Sequence, residues 1–109
     1  MTFDAAQDER MEIDAGFAPD HDGAHWIYSG SLTFANAGSV LAAAAALRLP
    51  AEGEVDLDDL GEIDSSAIAV LVALRRRAAE EGKPLRFVNA PPALAALAEV
   101  YDVEAILRA

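Results

Sequence analysis

The stretch GEIDSSAIAVLVALRRR (residues 61–77) decides the reading of this chain. An acid and two hydroxyls, Asp64-Ser65-Ser66, stand directly before an unbroken aliphatic run at residues 67–74, which gives way to Arg75, Arg76 and Arg77. Aspartate and serine are the residues that cap helix starts, because their oxygens accept from the early N–H groups. The run therefore reads as a helix starting near Ser66 and ending in EEGKP (residues 80–84), where Gly82 supplies the left-handed residue past the end and Pro84 forbids continuation. No capping-box acid is present, since Ile68 follows Ser65 by three and Ala69 follows Ser66 by three. One of the three polar groups suffices as a cap. The remaining hydroxyls, at a positive dipole end with free N–H groups, are then available to a phosphate or to a partner's carboxylate.

A helix lying on a sheet needs one apolar stripe. Here Ile68, Leu71, Val72 and one neighbour would form it. Ala69, Val70 and Ala73 then point elsewhere, and either a second helix covers them or they make a smooth exposed patch that a partner could read. Arg76–Glu80 and Arg77–Glu81 are spaced i,i+4 and should contribute only about 0.2–0.5 kcal/mol per pair. The arginine run reads as a solvated face that suits the C-terminal end of the dipole.

Outward from this helix, strands and helices alternate. MEIDAGFAP (residues 11–19) alternates weakly, with Met11, Ile13, Ala15 and Phe17 on one side, and reads as an edge strand. PDHDG is turn chemistry, and HWIYSGSLTF is a strand rich in residues that suit a pleated surface. FANAGSVLAAAAALRLP reads as a helix capped by Thr33 or Asn36, with Phe34, Ala37, Leu41, Ala44 and Leu47 or Arg48 as its stripe and Pro50 as its stop. A short strand follows near residues 54–57. After the central helix, LRFVN is a strand. APPALAALAEVYD is a helix with Pro92 at its first position and Leu94, Leu97, Ala98 and Tyr101 buried. VEAILRA is a short closing element. The order β β α β α β α implies an α/β sheet, parallel after an opening hairpin.

The totals narrow the function classes. With 109 residues the chain supports one domain, and 53% hydrophobic content with a mean hydropathy of +0.17 excludes a disordered chain. A net charge of -11 repels phosphate backbones and anionic head groups, so neither nucleic acid nor direct membrane insertion is expected. The absence of cysteine removes thiol catalysis and thiolate metal sites. The opening MTFDAAQDER lacks a secretory pattern, so a cytoplasmic location is expected.

Catalysis finds little support. A serine hydrolase needs a histidine, and the only two, His21 and His25, stand in the N-terminal third with no G-x-S-x-G elbow. Asp20, His21, Asp22 and His25 fall in a turn entering a strand, where such groups are usually solvated, so no metal site is assigned. Asp58, Asp59 and Glu62 read as exposed loop charges, and no phosphate-binding glycine loop is present. No cofactor is expected.

The element order, the D-S-S before an aliphatic helix, the G-S-L-T-F opening to the first helix, and the G-K-P-L-R-F-V-N-A-P-P-A-L and L-A-E-V-Y-D-V segments together resemble the STAS domains of anti-sigma-factor antagonists, and most of all their MlaB branch. The resemblance covers residues 25–107. It implies an α/β, STAS-like (SpoIIAA-like) single domain, a small mixed sheet with helices packed on one side. Residues 21–109 would be that domain, and residues 1–20 an acidic extension that includes the edge strand. It also implies a non-enzymatic regulatory or assembly subunit. Such a subunit would bind the MlaF-like ATPase of a phospholipid ABC transporter, peripheral to the inner membrane through that complex. The alternative is an anti-sigma-factor antagonist switched by a serine-kinase anti-sigma factor; a small serine hydrolase is the remote one. The phosphorylated serine of the antagonists' D-S-S-G pattern matches Ser66, with Ala67 in place of the glycine. The hydroxyl that matters in the MlaB type matches Ser65. The expected partner-binding set is Asp64, Ser65, Ser66, Ala69, Val70 and Ala73, and a homodimer is a further option.

Overall fold

In the computed structural model, residues 15–107 are described. Four strands, β1 (Gly16–Pro19), β2 (His25–Leu32), β3 (Glu54–Ile63) and β4 (Arg86–Val88), form one sheet in the order β1-β2-β3-β4. β1 runs antiparallel to β2, while β2–β3 and β3–β4 are parallel. The crossovers carry α1 (Ala37–Ala45), α2 (Ser65–Glu80) and, after β4, α3 (Pro92–Val100), with a closing 3-10 turn at Glu104–Leu107. This is the expected element order and mixed sheet.

Trp26, Tyr28 and Leu32 of β2, Val55, Leu57 and Leu60 of β3, and Phe87 of β4 join buried residues of all three helices in one core, so the helices share one side of the sheet. The other face carries polar pairs such as Arg86–Glu54 at 2.7 Å. Phe17 of β1 lies on the core side, with its ring centroid 4.7 Å from Tyr28 and 5.6 Å from Trp26. Met11 and Ile13, expected on the same strand, lie outside the described residues.

β3 runs six residues further than its sequence suggests, to Ile63 rather than Leu57. The inward alternation breaks at Asp58-Asp59 because the strand bulges there. Ile27 pairs with Asp56 but Ser29 with Asp59, so β3 advances by three residues while β2 advances by two. The extra residue moves the inward position from Leu57 to Leu60 and turns both aspartates to solvent. A second register shift follows between Gly30 and Leu32.

Three helix readings need correction. α1 begins at Ala37, later than expected, and its buried residues are Val40 and Ala44; Phe34 precedes it and is 86% exposed. α3 buries Leu94 and Ala98 as expected, but it ends at Val100, and Tyr101 at its C-cap is largely exposed. The arginines are not merely a solvated face. Arg77 donates through Nη1 to Ala44 O at 3.0 Å and through Nη2 to Leu47 O at 2.6 Å, satisfying carbonyls at the end of α1, while its Nε meets Glu81 at 2.9 Å. Arg75 donates to Ile106 O at 3.0 Å and ties down the closing turn. Arg76 alone is exposed, and among the described residues it forms no pair with Glu80. Gly82 takes the left-handed conformation (φ 68°) that the end of α2 requires.

Candidate functional site

β3 delivers Asp64 to the mouth of α2 in an extended conformation (φ −141°, ψ −167°), which aims its side chain back over the first turn. Asp64 Oδ1 accepts from the Ser66 N–H at 2.8 Å, the helix cap. Its Oδ2 accepts from the Phe34 N–H at 2.9 Å, a group in the β2–α1 loop. These two backbone donors, Phe34 first, hold the carboxyl below the usual carboxylate range, and the Ser66 hydroxyl adds to the effect. The cap is therefore Asp64. The two serines have different settings: Ser66 is half-buried with its N–H bonded to Asp64, whereas Ser65 is exposed and makes no side-chain hydrogen bond among the described residues.

Along α2 the buried residues are Ala67, Ile68, Val70, Leu71, Leu74 and Ala78, one face of the helix widened at its first turns. Val70 thus belongs to the core at 3% exposure and leaves the expected partner set. Ile68 and Leu71 of the expected stripe are buried, whereas Val72 is only half-buried and Ala67 and Val70 extend the stripe on its other side. Ala69 is exposed and Ala73 half-exposed. The open face reads Ser65, Ala69, Ala73 and Arg76, small and smooth down to the arginine.

Phe34 is the residue that the sequence reading misplaced. Its loop is held from within: Asn36 Oδ1 accepts from Thr33 N at 3.0 Å, Asn36 Nδ2 donates to Ser31 O at 3.0 Å, and Thr33 Oγ1 accepts from Ala35 N at 3.3 Å. Asn36 is 4% exposed and occupies the N-cap position without capping through its side chain. The signal was present in T-F-A-N, since a cap at Asn36 puts Phe34 outside the helix.

Neither histidine reaches the serines. β2 and β3 are parallel, with His25 opposite Glu54 and Leu32 opposite Ile63, so His25 and the corner stand at opposite ends of β2. At ~3.3 Å per residue the separation is roughly 23 Å. His21 lies before His25, in the turn leading into the same end of β2. At that end Asp20, Asp22 and His25 converge, with ligand atoms within 4.8 Å of one another. They are engaged with each other and with their turn: Asp22 Oδ1 accepts from Ala24 N at 2.8 Å, and His25 Nδ1 meets Asp20 Oδ2 at 3.2 Å. Among the described residues no helix is long and apolar enough to cross a membrane.

A search of curated proteins finds no match to the chain. The family model described as "Mlab, STAS domain" matches residues 28–108, a span that runs from the inner half of β2 through the Asp64 corner to the closing turn. With that match over most of its length, on a four-stranded mixed sheet that presents an aspartate-capped serine corner, the chain belongs to the MlaB-type STAS domain family.

Proposed function

We propose that this protein is a non-enzymatic subunit that binds the ATPase of an Mla-type phospholipid ABC transporter, on the cytoplasmic side of the inner membrane, and regulates or helps to assemble it. STAS domains are regulatory and assembly modules, generally without catalysis. The observation that carries the finer reading is the exposed Ser65 at the aspartate-capped mouth of α2, continuous with the open face of Ala69 and Ala73. A hydroxyl with no structural bond, beside alanines that cost little side-chain entropy on burial, suits recognition by a protein surface. Asp64, Ser65, Ser66, Ala69 and Ala73 form the binding set in this reading, with residues 21–109 as the binding domain and residues 1–20 as an extension contributing its edge strand.

The test is to mix the purified protein with the purified Mla-type ATPase subunit of the same host, following co-elution and ATP turnover. A complex with altered turnover is expected; separate elution at micromolar concentrations sinks the proposal. A second reading, the phosphorylation switch, draws on Ser66, which stands where an antagonist would be phosphorylated and whose N–H donates to Asp64 at 2.8 Å. Ala67, in the glycine position of that pattern, is fully buried. Phosphate incorporation at Ser65 or Ser66 by a serine-kinase anti-sigma factor separates the two.

A further inference from the structure

An exposed phenylalanine on a firmly bonded loop needs a reason. Phe34 is 86% exposed, yet its own N–H is fixed to Asp64 at 2.9 Å and the residues on either side are fixed through Thr33 and Asn36. The backbone is thus ordered before anything binds, which lowers the entropy that an aromatic anchor loses on docking. Aromatic side chains of this kind carry a large share of interface energy when a pocket desolvates them.

Among the described residues, the charged side chains on the segments next to Phe34 are of one sign. The strand ends, loops and helix starts at this end, residues 29–40, 58–70 and 88–95, contain no lysine or arginine. The same segments expose Asp58, Asp59 and Glu62 and hold Asp64 at the corner. The nearest arginines along α2 lie about three turns below Ser65, at ~1.5 Å per residue about 15 Å or more away.

We propose that Phe34 is the anchor of the docking corner, and that its occupant is a pocket on the partner protein, apolar at its base and rimmed by lysine or arginine. This rests on the ATPase-binding reading and adds to it a residue and the chemistry of the surface that receives it. The aromatic ring supplies burial, and the acidic surround supplies orientation and selects against an acidic partner, including a second copy of this chain.

The test titrates the purified Mla-type ATPase subunit with wild type, Phe34→Ala and Phe34→Leu by calorimetry at low and high salt, with melting curves and sedimentation of each protein alone. Expected are a loss of at least about tenfold in affinity for Phe34→Ala, a smaller loss for Phe34→Leu, an unchanged melting temperature, and wild-type affinity that falls with salt. A loss of less than tenfold overturns the anchor while the ATPase-binding reading stands. Salt-independent affinity overturns the basic rim. Sedimentation of wild type as a dimer that Phe34→Ala dissociates makes the occupant a second copy and overturns the pocket. If the wild type itself does not bind, the ATPase-binding reading falls, and the anchor with it.

Discussion

The carboxylate of Asp64 accepts the Phe34 N–H at 2.9 Å and the Ser66 N–H at 2.8 Å, so one side chain joins the β2–α1 loop to the first turn of α2. Capping and loop docking are therefore one event. A change in the cap should be felt at Phe34, and a partner that grips Phe34 should be sensitive to the state of the serine corner.

Replacement of Asp64 tests that link. Asp64→Ala removes both acceptors and should lower the melting temperature by about 4–8 °C in a domain of this size. Asp64→Asn keeps one acceptor and should fall between. The folded pKa is depressed, so this contribution is present above the ordinary aspartate value of 3.8 and is lost as pH falls through the lower, folded value. Wild type and Asp64→Asn should therefore converge in acid. A constant gap down to the end of the carboxylate range would show that charge at Asp64 is irrelevant.

The two serines should respond differently. Ser65 is exposed, and Ser65→Asp should leave the melt unchanged while weakening the ATPase complex through an added charge to desolvate. Ser66 contacts Asp64, so Ser66→Asp sets a second carboxylate against the first and should lower stability as well as affinity. Paired melting and binding curves for both variants check this. Equal affinity in all three proteins would reduce the corner to a cap.

On α2, neighbouring positions should separate core from surface. Ala69→Glu should abolish the complex and keep the melting temperature, because Ala69 is exposed. Val70→Ala should cost on the order of 2 kcal/mol, because Val70 is in the core. Denaturant unfolding of both variants settles the rotation of the helix; a stable Val70→Ala protein would contradict the burial.

Arg77 and Arg76 make a second contrasting pair. Arg77→Met removes the donors to Ala44 O and Leu47 O and should cost about 1–2 kcal/mol, with Arg76→Met near zero. Urea midpoints for the two variants are the measurement, and equal midpoints would make the α1 staple dispensable.

The legible parts of this chain are those set by local chemistry. Gly82, Pro84 and Pro92 fix where α2 stops and α3 starts, and Asp64 is a cap by residue type. The unreadable parts are tertiary. The bulge at Asp58-Asp59 interrupts the period that defines a strand, because its cause is the neighbouring β2. Phe34 matches helical spacing from Ala37 onward, and its loop is drawn off the helix by Asn36 and Thr33 together with the Asp64 carboxylate, 30 residues away. The arginines look solvated until α1 and the closing turn bring carbonyls to them. For α2, a run with no polar face leaves its rotation undetermined, so Val70 could not be assigned from spacing alone.

At the end of β2 farthest from the serines, His25 should make stability depend on pH. Burial works against its charge, but the Asp20 carboxylate bonded to it, then Glu54 and Asp22, raise its pKa above the ordinary 6.5. Its Nε2 lies 3.5 Å from Glu54 and 3.9 Å from Glu52, and Glu54 is shared with Arg86 at 2.7 Å. A raised folded pKa means that the stabilisation is complete below about pH 6.5, the unfolded value, and is lost as pH rises through the folded value. Melting temperature should therefore decline from slightly acidic to alkaline pH in the wild type, and His25→Asn should flatten that decline. The ring ties the β1–β2 turn to β3, so hydrogen exchange in β1 should accelerate over the same window. An identical pH profile in His25→Asn would assign the titration elsewhere and leave His25 as a packing residue.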